Sequence, residues 1–190
     1  MPEQLHGYCH IIREMREKAI IMEIQYRIAA TEDLTEICDL FNSAIDTMIR
    51  NKIFQWDEIY PTEQDFREDI AKRQLYVGVA EGRIAVVYVI NQDCDEQYAN
   101  GNWQYTGEPY YVIHRMCVHP AFQNHGIARQ TLFYIEEQLA GWGIHVIRLD
   151  AFSENPYALR LYEHMGYVKV GTADWRKGMF YLMEKHSASL

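Results

Sequence analysis

At 190 residues the chain is long enough to bury a substantial core in one compact domain. Apolar residues make up 48% and charged residues 24%, which excludes a disordered chain, and a formal net charge of −9 with no dense Lys/Arg cluster argues against nucleic acid or an anionic membrane as the main partner. The four cysteines, Cys9, Cys38, Cys94 and Cys117, show neither a C-x-x-C pair nor zinc-ligand spacing, so no disulfide framework and no metal site are expected.

Residues 1–21 carry Glu14, Arg16, Glu17 and Lys18 where a signal peptide needs an uninterrupted apolar stretch, and no run approaches the ~18 residues of a membrane span. A cytoplasmic protein is expected, with 1–21 an N-terminal extension and 22–190 the domain. From Met22, "MEIQYRIAATEDL" reads as a strand followed by a helix capped at Thr31. Leu34, Ile37, Cys38, Phe41, Ala44, Ile45 and Met48 recur at helical spacing. Tyr60-Pro61-Thr62 ends a connecting segment, and Thr62 caps a second helix through about Arg73. "LYVGVA" and "IAVVYVI", separated by Glu81-Gly82-Arg83, read as a hairpin.

The loop 92–108 places Tyr98, Trp103 and Tyr105 among glycine and asparagine; a loop that long is either functional or a plain surface excursion. Then follow a strand (110–118), a helix (126–141), a strand (144–150), a helix (156–165), and strands at 167–171 and 179–184. The fold class is α/β, with strands 110–118 and 144–150 parallel neighbours.

The joint "MCVHPAFQNHGIA" concentrates the chemical signal. Pro120 ends the strand, Gly126 admits close approach to the backbone, and the following helix N-terminus offers unpaired N–H groups to an anion. Neither G-x-x-x-x-G-K-[ST] nor G-x-G-x-x-G is present. The joint resembles the Q/R-x-x-G-x-G/A signature of the GCN5-related N-acetyltransferase (GNAT) superfamily, through Gln123, Gly126 and Ala128. "LDAFSENPYALRLYEHMGY" resembles that superfamily's second motif, an Asn followed by a helix carrying L-Y-E-x-x-G-[FY].

The resemblance covers about residues 22–186 and implies a mixed, twisted, splayed β-sheet flanked by α-helices. It further implies acetyl-CoA as cosubstrate, an amine acceptor and direct transfer in a ternary complex. The turn 123–128 (Gln123, Asn124, His125, Gly126, Ile127, Ala128) would hold the pyrophosphate, and backbone groups of Met116, Cys117 and Val118 the pantetheine arm. An acyl-CoA-binding regulatory module on the same fold is the alternative. Oligomeric state stays open, a homodimer included.

Individual residues carry two readings. Asn155 before Pro156 is a helix cap, and in the superfamily also touches the cofactor arm. Gly166 reads as the left-handed end of helix 156–165. Tyr162 lies on the inward helix face, either as a core tyrosine or, by resemblance, as the proton donor near the thioester sulfur. His114 is the first candidate for the base, with Asp150 second and Glu154 nearby. Alternatively, His114 is a satisfied sheet histidine. Phe54, Trp56, Tyr60, the 92–108 loop, Trp175 and Arg176 are the expected acceptor wall, from which no particular substrate follows.

Overall fold

Alternation along the strands assigns each side chain to one of two packing faces. In the computed structural model, which describes residues 22–187, β2 (Leu75–Ala80) and β3 (Arg83–Asn91) pair as the expected hairpin. Val77, Val87 and Val89 point to one face and Tyr76, Tyr88 and Ile90 to the other, the two-residue period of a strand buried on both sides. The expected extension 1–21 lies outside the described residues.

The first face is covered by α1 (Leu34–Arg50) and α2 (Glu63–Ala71), the second by α3 (Ile127–Gly141) and α4 (Pro156–His164). Leu34, Ile37, Leu40, Phe41 and Ala44 form the buried stripe of α1, and each large side chain in it contributes roughly 1.5–3 kcal/mol on burial. Thr62 caps α2 as expected, accepting from the Asp65 N–H while Asp65 reaches back to Thr62. Thr31 is not the cap of α1. It opens a 3₁₀ turn, Thr31–Asp33, in which Asp33 accepts from the Ala30 N–H at 2.7 Å and leads into the helix.

Seven strands form one mixed sheet in the order β1-β2-β3-β4-β5-β7-β6, with β1 Gln25–Ile28, β4 Tyr110–Val118, β5 Val146–Phe152, β6 Val168–Trp175 and β7 Gly178–His186. The last two strands run longer than their sequence pattern suggested because they pair with each other as far as Trp175↔Gly178. β4 and β5 are parallel neighbours, as expected, but their register covers only Tyr110↔Val146 to Ile113↔Leu149. Beyond that point β4 follows β3 while β5 stays with β7 to Phe152↔Phe180, so a gap opens at the carboxyl ends of both strands.

A bulge accompanies the opening. Val89 pairs with His114 and Val87 with Cys117, leaving Arg115 and Met116 opposite Tyr88 alone. Arg115 takes the left-handed conformation at φ 49°, and its guanidinium meets Asp69 on α2 at 2.5 Å and the Tyr60 hydroxyl at 2.7 Å. Among the described residues no helix is long and apolar enough to cross a membrane.

Candidate active site

Two cavities open from the splayed strands and share a wall. The first, about 720 Å³, runs past Met116, Cys117 and Val118 to the turn before α3. There Asn124 and Gly126 both adopt left-handed φ, 65° and 77°, which curls the chain so that Gly126 becomes the helix N-cap without any side-chain cap. A Cβ on Gly126 would meet no protein atom within 4 Å. The first N–H groups of α3 thus face a glycine-bared opening, a position suited to an anion.

Gln123, Asn124, Gly126, Ile127 and Ala128 line this groove. His125 is exposed and does not line it. Asn155 lines it too: its Oδ1 accepts from the Ala158 N–H at 3.1 Å, the cap read from sequence, while its Nδ2 donates to Gln55 at 3.0 Å. These residues fit an elongated anionic cosubstrate such as acetyl-CoA. They supply backbone donors at one end and strand-edge amides at the other, where β4 has no partner on its β5 side.

The second cavity, about 490 Å³, lies on the other side of the junction. Trp56, Tyr60, Tyr98, Trp175 and Arg176 line it, as the sequence suggested; Phe54 and Trp103 do not. Its rim also carries Asp65, Glu68, Asp69, Asp93 and Asp95, against Lys72, Arg115, Arg176 and Lys177. Arg115 is taken up by Asp69, and Arg176 and Lys177 both bind Asp57, which ties the β6–β7 turn to the segment before α2. The acidic rim was invisible in sequence because two segments far apart in the chain, α2 and the 93–95 stretch, assemble it.

Met116, Asp150 and Tyr162 line both cavities. Asp150 is half-buried where β5 leaves β4, and accepts from the Tyr98 hydroxyl at 2.9 Å. Burial pushes its carboxyl up to about 6; Tyr98 and Arg115 hold it down, and Asp95 adds to the rise. Tyr162 is nearly buried, and burial, then Asp150, raises its phenol above the ordinary value, so it stays protonated at neutral pH. Among the described residues its hydroxyl has no hydrogen-bond partner.

His114 borders only the second cavity. Its Nε2–H donates to Asn91 Oδ1 at 2.9 Å, and burial, then Arg115, pushes its pKa down to about 4. It is held neutral, and weakly basic. Glu154 is exposed and borders neither cavity. Gly166 sits at φ 87° after α4, where the Tyr167 N–H bonds to the Tyr162 carbonyl at 3.0 Å, the helix end read from sequence. Tyr98, 52 positions from Asp150, was legible only as one aromatic residue in a long loop.

The fold recurs in known proteins. An acetyltransferase of the GNAT family from Streptococcus agalactiae 2603 superposes with a TM-score of 0.77 at 22% identity, covering 87% of this chain and 96% of that one. The PaiA N-acetyltransferase from Thermoplasma acidophilum, solved with coenzyme A, superposes at 0.66 with 16% identity, over 87% and 99% of the two chains. In sequence, the chain is 32% identical over 68 residues to an L-methionine sulfoximine/L-methionine sulfone acetyltransferase of Salmonella typhimurium, a match spanning 35% of this chain and 40% of that relative. The profile described as Acetyltransferase (GNAT) family matches residues 41–167, two thirds of the chain, so the chain belongs to the GNAT acetyltransferase family.

Proposed function

We propose that this protein transfers the acetyl group of acetyl-CoA to the amine of a small cationic acceptor, by direct attack within a ternary complex. The observation that carries the reading is the junction: an anion-suited groove and an acid-rimmed cavity meet at Met116, Asp150 and Tyr162. The acidic rim favours a protonated amine, which suits a small molecule entering a cavity of about 490 Å³. The partial sequence match to an enzyme named for methionine derivatives points to the same scale of acceptor.

In this reading the turn 123–128 holds the pyrophosphate, and the backbone of Met116, Cys117 and Val118 orients the thioester and stabilises the oxyanion. Asp150 takes the proton of the amine. Its value of about 6 keeps it ionised at neutral pH while leaving it more basic than an ordinary carboxylate. As the new C–N bond forms and the C–S bond breaks, the departing sulfur carries the electron pair. Tyr162 places its proton on that sulfur or hydrogen-bonds to it. His114, neutral and bonded to Asn91, is the lesser candidate for the base and shapes the acceptor wall. A cytoplasmic setting, where acetyl-CoA is made and used, fits this role.

Thiol release from acetyl-CoA with a panel of mono-, di- and polyamines and amino acids tests the proposal. Amine-dependent release above the hydrolytic background is expected. Coenzyme A binding with no turnover on any amine would instead favour the acyl-CoA-binding module.

A further inference from the structure

We infer that Tyr98 is a positioning residue that fixes the orientation and acid strength of Asp150 from outside the sheet, an inference that rests on Asp150 being the proton acceptor. The Tyr98 hydroxyl donates to Asp150 Oδ2 at 2.9 Å and so fixes one of the two carboxylate oxygens. Burial, then Asp150 itself, raises the Tyr98 phenol well above its usual value, so it remains a donor at every working pH. The other charged or titratable groups facing Asp150 are Asp95 on the same segment, Arg115 on β4, Tyr162 on α4 and Tyr60 before α2. Among these the Tyr98 phenol is the direct hydrogen-bond partner.

Tyr98 and the loop around it are held at several points. The Trp103 indole N–H donates to the Tyr98 carbonyl at 2.8 Å and the two rings stack at 5.6 Å. The Asn102 N–H bonds to Val170 on β6 at 2.7 Å, and the Gln104 N–H to the Glu184 carboxylate at 2.8 Å. Glu184 pairs with Arg148, whose guanidinium lies between Trp103 at 4.2 Å and Tyr110 at 3.8 Å.

A buried ion pair of this kind is weak evidence for stability, and breaking it by removing one partner is costly, so Glu184 stays fixed where the Gln104 N–H meets it. The bare backbone of Gly171 completes the clamp: a Cβ there would come within 2.7 Å of the Asn100 carbonyl oxygen and 2.9 Å of Gly101 Cα.

Two variants and two readouts test the inference. Tyr98→Phe should move the acid limb of kcat/KM for the amine upward by about one pH unit, since one unit is tenfold in the proton equilibrium, and lower kcat with coenzyme A affinity unchanged. Carboxyl-carbon NMR of the free protein should show the Asp150 titration rising by a similar amount, with Asp150→Asn identifying the signal. Gly171→Ala, which displaces Asn100 and Gly101 without touching Asp150, should shift both readouts in the same direction, and serves if the Phe variant folds poorly. An unmoved limb and an unmoved titration in a folded Tyr98→Phe protein would overturn the inference alone. Wild-type turnover and acid limb in Asp150→Asn would instead overturn the assignment of the base, and this inference with it.

Discussion

Replacing Asp150 with Asn should raise the stability of the protein at neutral pH while removing most of its activity. Burial lifts this carboxyl from 3.8 to about 6, a difference of about two units, and each unit corresponds to ~1.36 kcal/mol. A carboxyl whose folded pKa lies above its unfolded value holds its proton more tightly in the folded state. Its contribution is therefore fully present below the unfolded value near 3.8, is lost as pH rises to about 6, and stays lost above. The ionised group thus costs at most about 3 kcal/mol at pH 7–8, and access from the cavity lowers this to about 1–2 kcal/mol. Asparagine removes the charge, and its carbonyl oxygen still accepts from Tyr98. For a chain of this size the gain corresponds to roughly 2–4 °C in Tm per kcal/mol. Urea unfolding of both proteins at pH steps from 4 to 8 should show the gap opening between about 4 and 6 and then levelling. A gap independent of pH, or an Asn variant no more stable than wild type at pH 8, would refute the account of a strained ionised carboxylate.

Tyr162→Phe keeps the ring and its packing but removes the phenol at the junction, so turnover should fall by ~10–10³-fold with coenzyme A affinity little changed. Wild-type turnover with chemistry rate-limiting would make it a packing residue. Gly126→Val should weaken coenzyme A binding by calorimetry far more than it lowers Tm. A Cβ there would meet no protein atom within 4 Å, and the left-handed backbone at φ 77° adds about 1–2 kcal/mol of strain, or more for a β-branched residue, which the Tm readout measures separately. His114→Ala should leave the acid limb of the pH–rate profile in place, because a histidine held near 4 is already neutral across the assay range. A loss of ~10²-fold or more would return the role of base to it.

The parts of this molecule set by neighbouring residues were legible in its sequence. The β2–β3 hairpin, the Thr62 cap, the Asn155 cap and the Gly166 helix end depend on contacts within a few positions, and all four stand where the pattern put them. The start of α1 is ambiguous in sequence: Thr31 and Asp33 are both good capping residues, and only the backbone geometry shows Asp33 closing onto Ala30. What sequence could not yield was contact across distance. Arg115 reads as a strand residue like its neighbours, yet a bulge turns it toward Asp69, 46 positions away. The choice between His114 and Asp150 likewise depends on Asn91 and Tyr98, which sequence spacing does not bring near either.

The four-residue register between β4 and β5 makes the sheet two half-sheets joined by few rungs. β4 belongs to the half containing β1–β3 and β5 to the half containing β6 and β7, so the edge of residues 114–118 that faces away from β3 is a strand position without a strand partner. An extended arm bearing amides, laid along that edge, would take the place of missing backbone and bridge the halves. Binding and internal cohesion then become one equilibrium: occupancy of the seam adds to the stability of the whole sheet in proportion to the logarithm of ligand concentration. The groove is less a slot cut into a finished scaffold than an unfinished part of the scaffold itself.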